Sequence, residues 1–166
     1  VDGLADVAVD RGRYAYFAPH TYWAEKGYAD DPAGVSGMED RGAAQGLVDV
    51  YRELGYEPAL SLAGKLVNHM LEVCRGFDES GRFMVTIPQL AEAADFQPAM
   101  PGATHFHMHT GVLHSVLEYA RVVGDESLLE LVRKGYEYGK ANGNVLLGYF
   151  PEFVNSPRLE HSELCE

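Results

Sequence analysis

Basic residues, cysteine and tryptophan are all scarce in this chain. Thirteen Lys and Arg stand against 25 Asp and Glu in 166 residues, a net charge of −12. Nucleic-acid binding needs cations clustered against phosphates, and no Lys/Arg run occurs, so a nucleic-acid partner is set aside. The two cysteines, Cys74 and Cys165, are too few for a disulfide framework, and neither belongs to a CxxC pair. They leave the redox compartment open. No apolar run reaches the roughly 18 residues of a membrane span, and no basic-then-apolar leader opens the chain. No membrane partner is expected, and the protein reads as soluble, cytoplasmic rather than secreted. A Gly-rich phosphate loop, a GxSxG elbow and an HExxH helix are all missing, which leaves those chemistries without support.

The remainder is an ordinary globular composition, 46% hydrophobic and 23% charged, long enough to bury a core. Residues 1–35 show no sustained helical period. They scatter Tyr14, Tyr16, Phe17, His20, Tyr22, Trp23 and Tyr28 among Gly, Asp and Pro, an irregular aromatic arm. Such rings either pack over a helix end or offer a stacking platform, with Trp23 the first candidate. Ser36-Gly37-Met38-Glu39 has the form of a capping box, and the apolar stripe 43, 44, 47, 50, 51, 54 predicts a helix over 37–54. Gly55 closes it, and Glu57-Pro58 opens a second helix reaching about residue 74, with Cys74 on its apolar stripe. The two make an αα-hairpin, 37–74. Phe83 to Ile87 is a short β-like run ended by Pro88, and 88–103 is a connecting loop.

A second hairpin, 104–141, repeats the first. A shift of 69 residues places Gly42 on Gly111, Leu47 on Val116, Asp49 on Glu118, Leu54 on Val123, Gly55 on Gly124, Glu57 on Glu126 and Lys65 on Lys134. The same shift bears on Thr104-His105-Phe106-His107-Met108-His109-Thr110. If extended, this stretch would aim three imidazoles one way, a plausible metal face; if helical, His105 and His109 share a face and His107 turns away. Because His105 falls on Ser36 and His109 on Asp40, the repeat predicts a helix starting near Thr104 or His105. Asp40 and His109 then each lead a buried stripe at a helix N-terminal end, where backbone N–H groups meet anionic or hydroxyl-rich ligands. The bland reading is a first-turn carboxylate and a hydrogen-bonded histidine. At the far end Glu160-His161-Ser162-Glu163-Leu164-Cys165-Glu166 concentrates carboxylates, an imidazole and a thiol at the start of a further helix, 159–166.

Met38-Glu39-Asp40-Arg41-Gly42 with Leu54-Gly55-Tyr56-Glu57-Pro58, and His114-Ser115-Val116-Leu117-Glu118-Tyr119 with Val123-Gly124-Asp125-Glu126, resemble the six-hairpin glycosidases, in particular their β-L-arabinofuranosidase-like branch. The resemblance covers residues 36–166 and implies an all-α fold of tandem αα-hairpins, an incomplete (α/α)6 toroid with short β-like segments. It implies inner helices at 37–54, 104–123 and from 159, outer ones at 57–74 and 126–141, and hydrolysis of glycosidic bonds in a plant or microbial oligosaccharide or polysaccharide. Glu163 and Cys165 match a Glu-x-Cys pair that serves there as acid/base or nucleophile, or as zinc ligands. The further cysteine ligands of that branch have no counterpart here, so a site with zinc and one without stand side by side. Asp40, Arg41, His105, His107 and His109 would bind or polarise sugar hydroxyls, with Trp23 stacking. A polysaccharide lyase on the same scaffold and a non-catalytic helical-repeat binding module are the alternatives. Two hairpins and a stub do not close a ring, so the expectation is a fragment, a half-ring completed by a second copy, or an inactive remnant.

Overall fold

A computed structural model of the chain describes residues 1–17, 37–83, 104–143 and 153–154. Among these the backbone is mostly helical, in line with the periodicity. The opening of the arm differs from the sequence reading. Asp2–Val7 is a helix (α1), and Ala8–Asp10 (β1) pairs antiparallel with Ala15–Phe17 (β2), Val9 opposite Tyr16. Strands of three residues are too short to show an alternating pattern. The turn between them has its own chemistry: Gly12 takes a φ of +79°, and its N–H donates to Asp10 Oδ1 at 2.7 Å.

Gly37–Leu54 (α2) and Glu57–Asn68 (α3) form the first hairpin, and Phe106–Val123 (α4) with Glu126–Asn142 (α5) the second. Helices α2 and α4 are both 18 residues long, and their starts and ends lie 69 positions apart, as do the starts of α3 and α5. Both hairpins turn on a left-handed glycine, Gly55 at φ +63° and Gly124 at φ +70°. Their N–H groups donate to equivalent carbonyls, Tyr51 at 2.8 Å and Ala120 at 2.9 Å. Nothing lies within 4 Å of a Cβ built on either glycine, so replacement by alanine meets backbone strain alone. Gly55→Ala and Gly124→Ala are each expected to cost about 1–2 kcal/mol, and nearly equal amounts, in urea unfolding. A clear inequality between them would deny that the two turns are equivalent.

Two boundaries move from the sequence reading. The first hairpin's second helix does not run regularly to 74: after Asn68 it widens into a π turn, His69–Val73, closed by Cys74 N–H donating to His69 O at 3.0 Å. The second hairpin's first helix starts at Phe106, because Thr104–His105 (β3) is taken up in antiparallel pairing with Phe153–Val154 (β4). The histidine stretch is therefore split. His105 lies in the strand, while His107 and His109 are helical.

Ala44, Leu47 and Val48 of α2, Leu62, Ala63, Leu66 and Val67 of α3, and Met108, Val112 and Val116 of α4 form the core, with Met70, Ala15 and Phe83 closing its edges. Helix α2 packs on both α3 and α4, and α4 also on α5. Arg41 reaches His107 and Arg52 reaches Glu118, the same separation of 66 at both places, so α2 and α4 run parallel. Helix α5 buries only Gly135 and Gly139 fully.

Candidate functional site

The residues singled out on the sequence divide into two groups once the helices are in place. Asp40 and His109 keep their equivalence, but both turn inward. Asp40 is fully buried, its Oδ2 is 2.5 Å from His69 Nδ1, and its Oδ1 accepts the Phe17 N–H at 3.3 Å. His69 is equally buried, with the Tyr16 and Tyr14 rings stacked on it at 5.1 and 5.9 Å. Burial alone drives the His69 pKa down, but the Asp40 hydrogen bond and the neighbouring Cys74 more than reverse this, and it is pushed up to about 10. The pair is thus an ion pair that locks strand β2 onto α2 and the π turn.

Cys74 makes this trio look like a nucleophile, base and orienting acid. Geometry argues otherwise. Its Sγ lies 3.5 Å from His69 Nε2 and 3.7 Å from Nδ1, nearly equidistant, so the sulfur packs on the ring rather than aligning with one nitrogen. Cys74 is also only 3% exposed, and it fits the core role its stripe position predicts.

His109 is buried in the same way. It is 1% exposed, its Nε2–H donates to Gly135 O at 2.8 Å, and its Nδ1 accepts the Phe83 N–H at 3.3 Å. Burial lowers its pKa, against a smaller opposing effect of the Gly135 bond. With both nitrogens engaged by backbone it is a neutral residue packed between α4 and α5, and it forms part of the lining of a cavity of about 290 Å³ with Phe106, Leu113, Tyr136 and Gly139. The signal that separates a facing from a buried position was available: 40, 44, 47 and 109, 113, 116 are the stripe itself, and a residue that leads a buried stripe is buried with it.

Arg41, one residue after Asp40, and His107, two residues before His109, do meet. Arg41 Nη2 lies 2.9 Å from His107 Nε2, and Nη1 donates to His107 O at 3.2 Å. Arginine offers only donors, so Nε2 is the acceptor and the ring proton of His107 sits on Nδ1. Buried Ser115 donates from Oγ to Arg41 O at 2.8 Å, tying the same two helices from the other direction. Gly111 makes room for this: a Cβ there would stand 2.9 Å from Arg41 Cζ. Beside these groups lies an open groove of about 350 Å³, lined by Arg41, Gln45, His107, Thr110, His114 and Ser115 with the backbones of Gly42 and Gly111. Among the described residues, every one of its side chains is polar and none is a carboxylate. Ser115, Gln45 and His114 are not among the site residues expected from the sequence, since nothing in one strand of sequence shows which face of α4 meets α2.

No family, curated protein or solved structure matches this chain. The groove has to be read on its own chemistry. His105 contributes backbone pairing in β3. Trp23, Glu163 and Cys165, the expected stacking, catalytic and zinc-binding residues, lie outside the described residues. Among the described residues no group of three or more His, Cys, Asp or Glu is arranged to hold a metal, and no helix is long and apolar enough to cross a membrane.

Proposed function

We propose that this chain is a portion of a carbohydrate-active enzyme of (α/α)6 architecture that hydrolyses glycosidic bonds, and that the Arg41–His107 groove is one wall of its sugar site. The observation carrying this is the groove itself. It lies along the N-terminal halves of two parallel, repeat-related helices, and its lining offers guanidinium, imidazole, amide and hydroxyl groups in a row. Sugar hydroxyls, each both donor and acceptor, are met by such a lining. The resemblance to the six-hairpin glycosidases would give the acid/base role to Glu163, with Cys165 as nucleophile. The same polar lining also suits, as a second reading, a non-catalytic module that holds a glycan.

The two readings part on turnover. The full-length protein incubated with a panel of plant and microbial glycans is expected to release reducing sugar, and Glu163→Gln and Cys165→Ser to abolish release while leaving glycan binding in place. Binding without release by the unmutated protein would establish the module instead, and neither binding nor release would sink both.

A further inference from the structure

We propose that this protein associates head to tail with further copies of itself, the exposed edge of α2 in one copy packing on the edge formed by α4 and α5 in the next. The repeat carries this, whether or not the groove holds a sugar. Inside the molecule α4 meets α2 through Gly111, Ser115 and Glu118, the last of which receives Arg52. Shifted back by 69, those three positions are Gly42, Gly46 and Asp49 on α2; shifted forward, Arg52 becomes Arg121 on α4, and all four are exposed. Each end of the two-hairpin unit thus displays one half of the contact that its middle has closed. The ion pairs give the sharpest comparison. Arg52 pairs with Asp49 on its own helix at 3.5 Å and with Glu118 across the junction. Arg121 repeats the pairing within its helix, with Glu118 at 3.6 Å. The closed pair is sheltered, Arg52 at 34% and Glu118 at 13% exposed, whereas Arg121 at 63% and Asp49 at 58% stand in water. Asp49 of a second copy, laid beside Arg121, completes the pattern.

Both edges also carry features that a neighbour would explain. A glycine inside a helix is less favourable than alanine by roughly 1 kcal/mol. At Gly111 the reason for it is visible, since a Cβ would stand 2.9 Å from Arg41 Cζ, but Gly42 and Gly46 have nothing within 4 Å of an added Cβ. A helix packed on α2 as closely as α2 packs on α4 supplies the same reason there. On the opposite edge lies the cavity of about 290 Å³ between α4 and α5. Its walls Leu113, Tyr136 and Gly139 stand 69 positions after Ala44, Val67 and Met70, which are buried in one cluster with Met108, Val112 and Val116 of α4. Val67 is 1% exposed and Tyr136 62%. Helix α4 packs on both α2 and α3, so its counterpart, the α2 of a second copy, would rest on α4 and α5 and cover this cavity. Charge agrees, with Asp49 and Glu53 on the one edge and Arg121 on the other. Because the two edges match through the very shift that relates the hairpins, the partner they fit is this chain itself. Such a contact joins two different surfaces, so copies add in one direction and close into a ring where the rotation allows.

Sedimentation velocity of the full-length protein over a concentration series tests this. The native protein is expected to pass from one chain to assemblies as concentration rises. Asp49→Arg and Arg121→Glu place like charges face to face, and each is expected to weaken association at least about tenfold. An equimolar mixture of the two, and the double variant, put opposite charges back at every junction and are expected to restore it. Gly46→Gln adds bulk where the single chain has room, so it is expected to prevent association while melting no lower than the native protein, both compared at a dilution where each is a single chain. Circular-dichroism melts check the folding of every variant, and Gly46→Gln decides the matter should the charge variants fail to fold. A native protein that stays a single chain up to its solubility limit would overturn the assignment, and a loss of stability in Gly46→Gln would then place a further segment of the same chain on this edge. Association that both single charge variants leave intact, or that their mixture does not regain, would overturn it in favour of a different surface.

Discussion

Asp40→Ala is expected to destabilise the fold by about 3–5 kcal/mol, because it strips the partner from a protonated imidazole that has no access to water. Asp40 and His69 are both fully buried, and the carboxylate also accepts from the Phe17 backbone, so the loss also releases strand β2 and the Tyr16 ring stacked on His69. Urea unfolding at pH 7 measures the loss. Asp40→Asn, which retains the shape and one hydrogen bond, should fall between alanine and the native residue. The pH dependence gives a second readout with a definite sign. His69 in the folded state holds its proton up to about pH 10, above the ordinary value of 6.5. Its contribution is therefore complete below pH 6.5, declines as pH rises, and is gone above about pH 10, since in that window the folded state binds a proton the unfolded state has released. Stability of the native protein should fall over this range, and the fall should be shallower in Asp40→Asn. An Asp40→Ala protein as stable as the native one at pH 7 would show that the pair contributes nothing.

The opposite ends of the helices differ in what they reveal on the sequence. The glycine-turned hairpins were legible because each boundary is marked by a residue with a backbone reason to be there: Gly55 and Gly124 supply left-handed turns, Glu57 and Glu126 open the next helix, and the stripes between repeat in phase. Helix starts and facings were harder. His105 was read as the opening of α4, yet a single strand pairing with Phe153, about 50 residues away in the chain, draws it out of the helix, and periodicity carries no trace of so distant a partner. The arm was opaque for the related reason that its strands are three residues long. For the site, sequence placed Arg41 and His107 in the right region, and the 69-residue shift put Asp40 and His109 at equivalent depth. What it could not supply was direction. Arg41 and His107 become neighbours only because Gly111 and Ser115 set the approach of α4 to α2, a contact between segments 66 residues or more apart.

The equivalence of Asp40 and His109 carries a further consequence, since the two hairpins solve one packing problem with opposite electrostatics. In each, a polar residue on the first helix reaches the closing part of the second: Asp40 to His69, and His109 to Gly135 O with the Tyr138 ring 5.8 Å away. Tyr138 is the position equivalent to His69 under the shift. The first hairpin therefore holds a charged imidazole and the second a neutral one. His109→Leu fills nearly the same space but removes both hydrogen bonds in a dry site, at an expected cost of about 2–3 kcal/mol. The acid response fixes the sign. Burial sets the folded pKa of His109 below 6.5, so its contribution is complete above pH 6.5 and is lost as pH falls through that value, where the unfolded chain takes up the proton first. Between pH 7.5 and 5, native protein should lose stability that His109→Leu does not, whereas above pH 7.5 the two should decline in parallel because His69 is untouched. Urea titrations of both proteins across this range measure the difference directly. Identical acid slopes would mean that His109 is not buried in its neutral form, and unchanged stability at pH 7.5 would mean that its two backbone bonds do not hold the second hairpin.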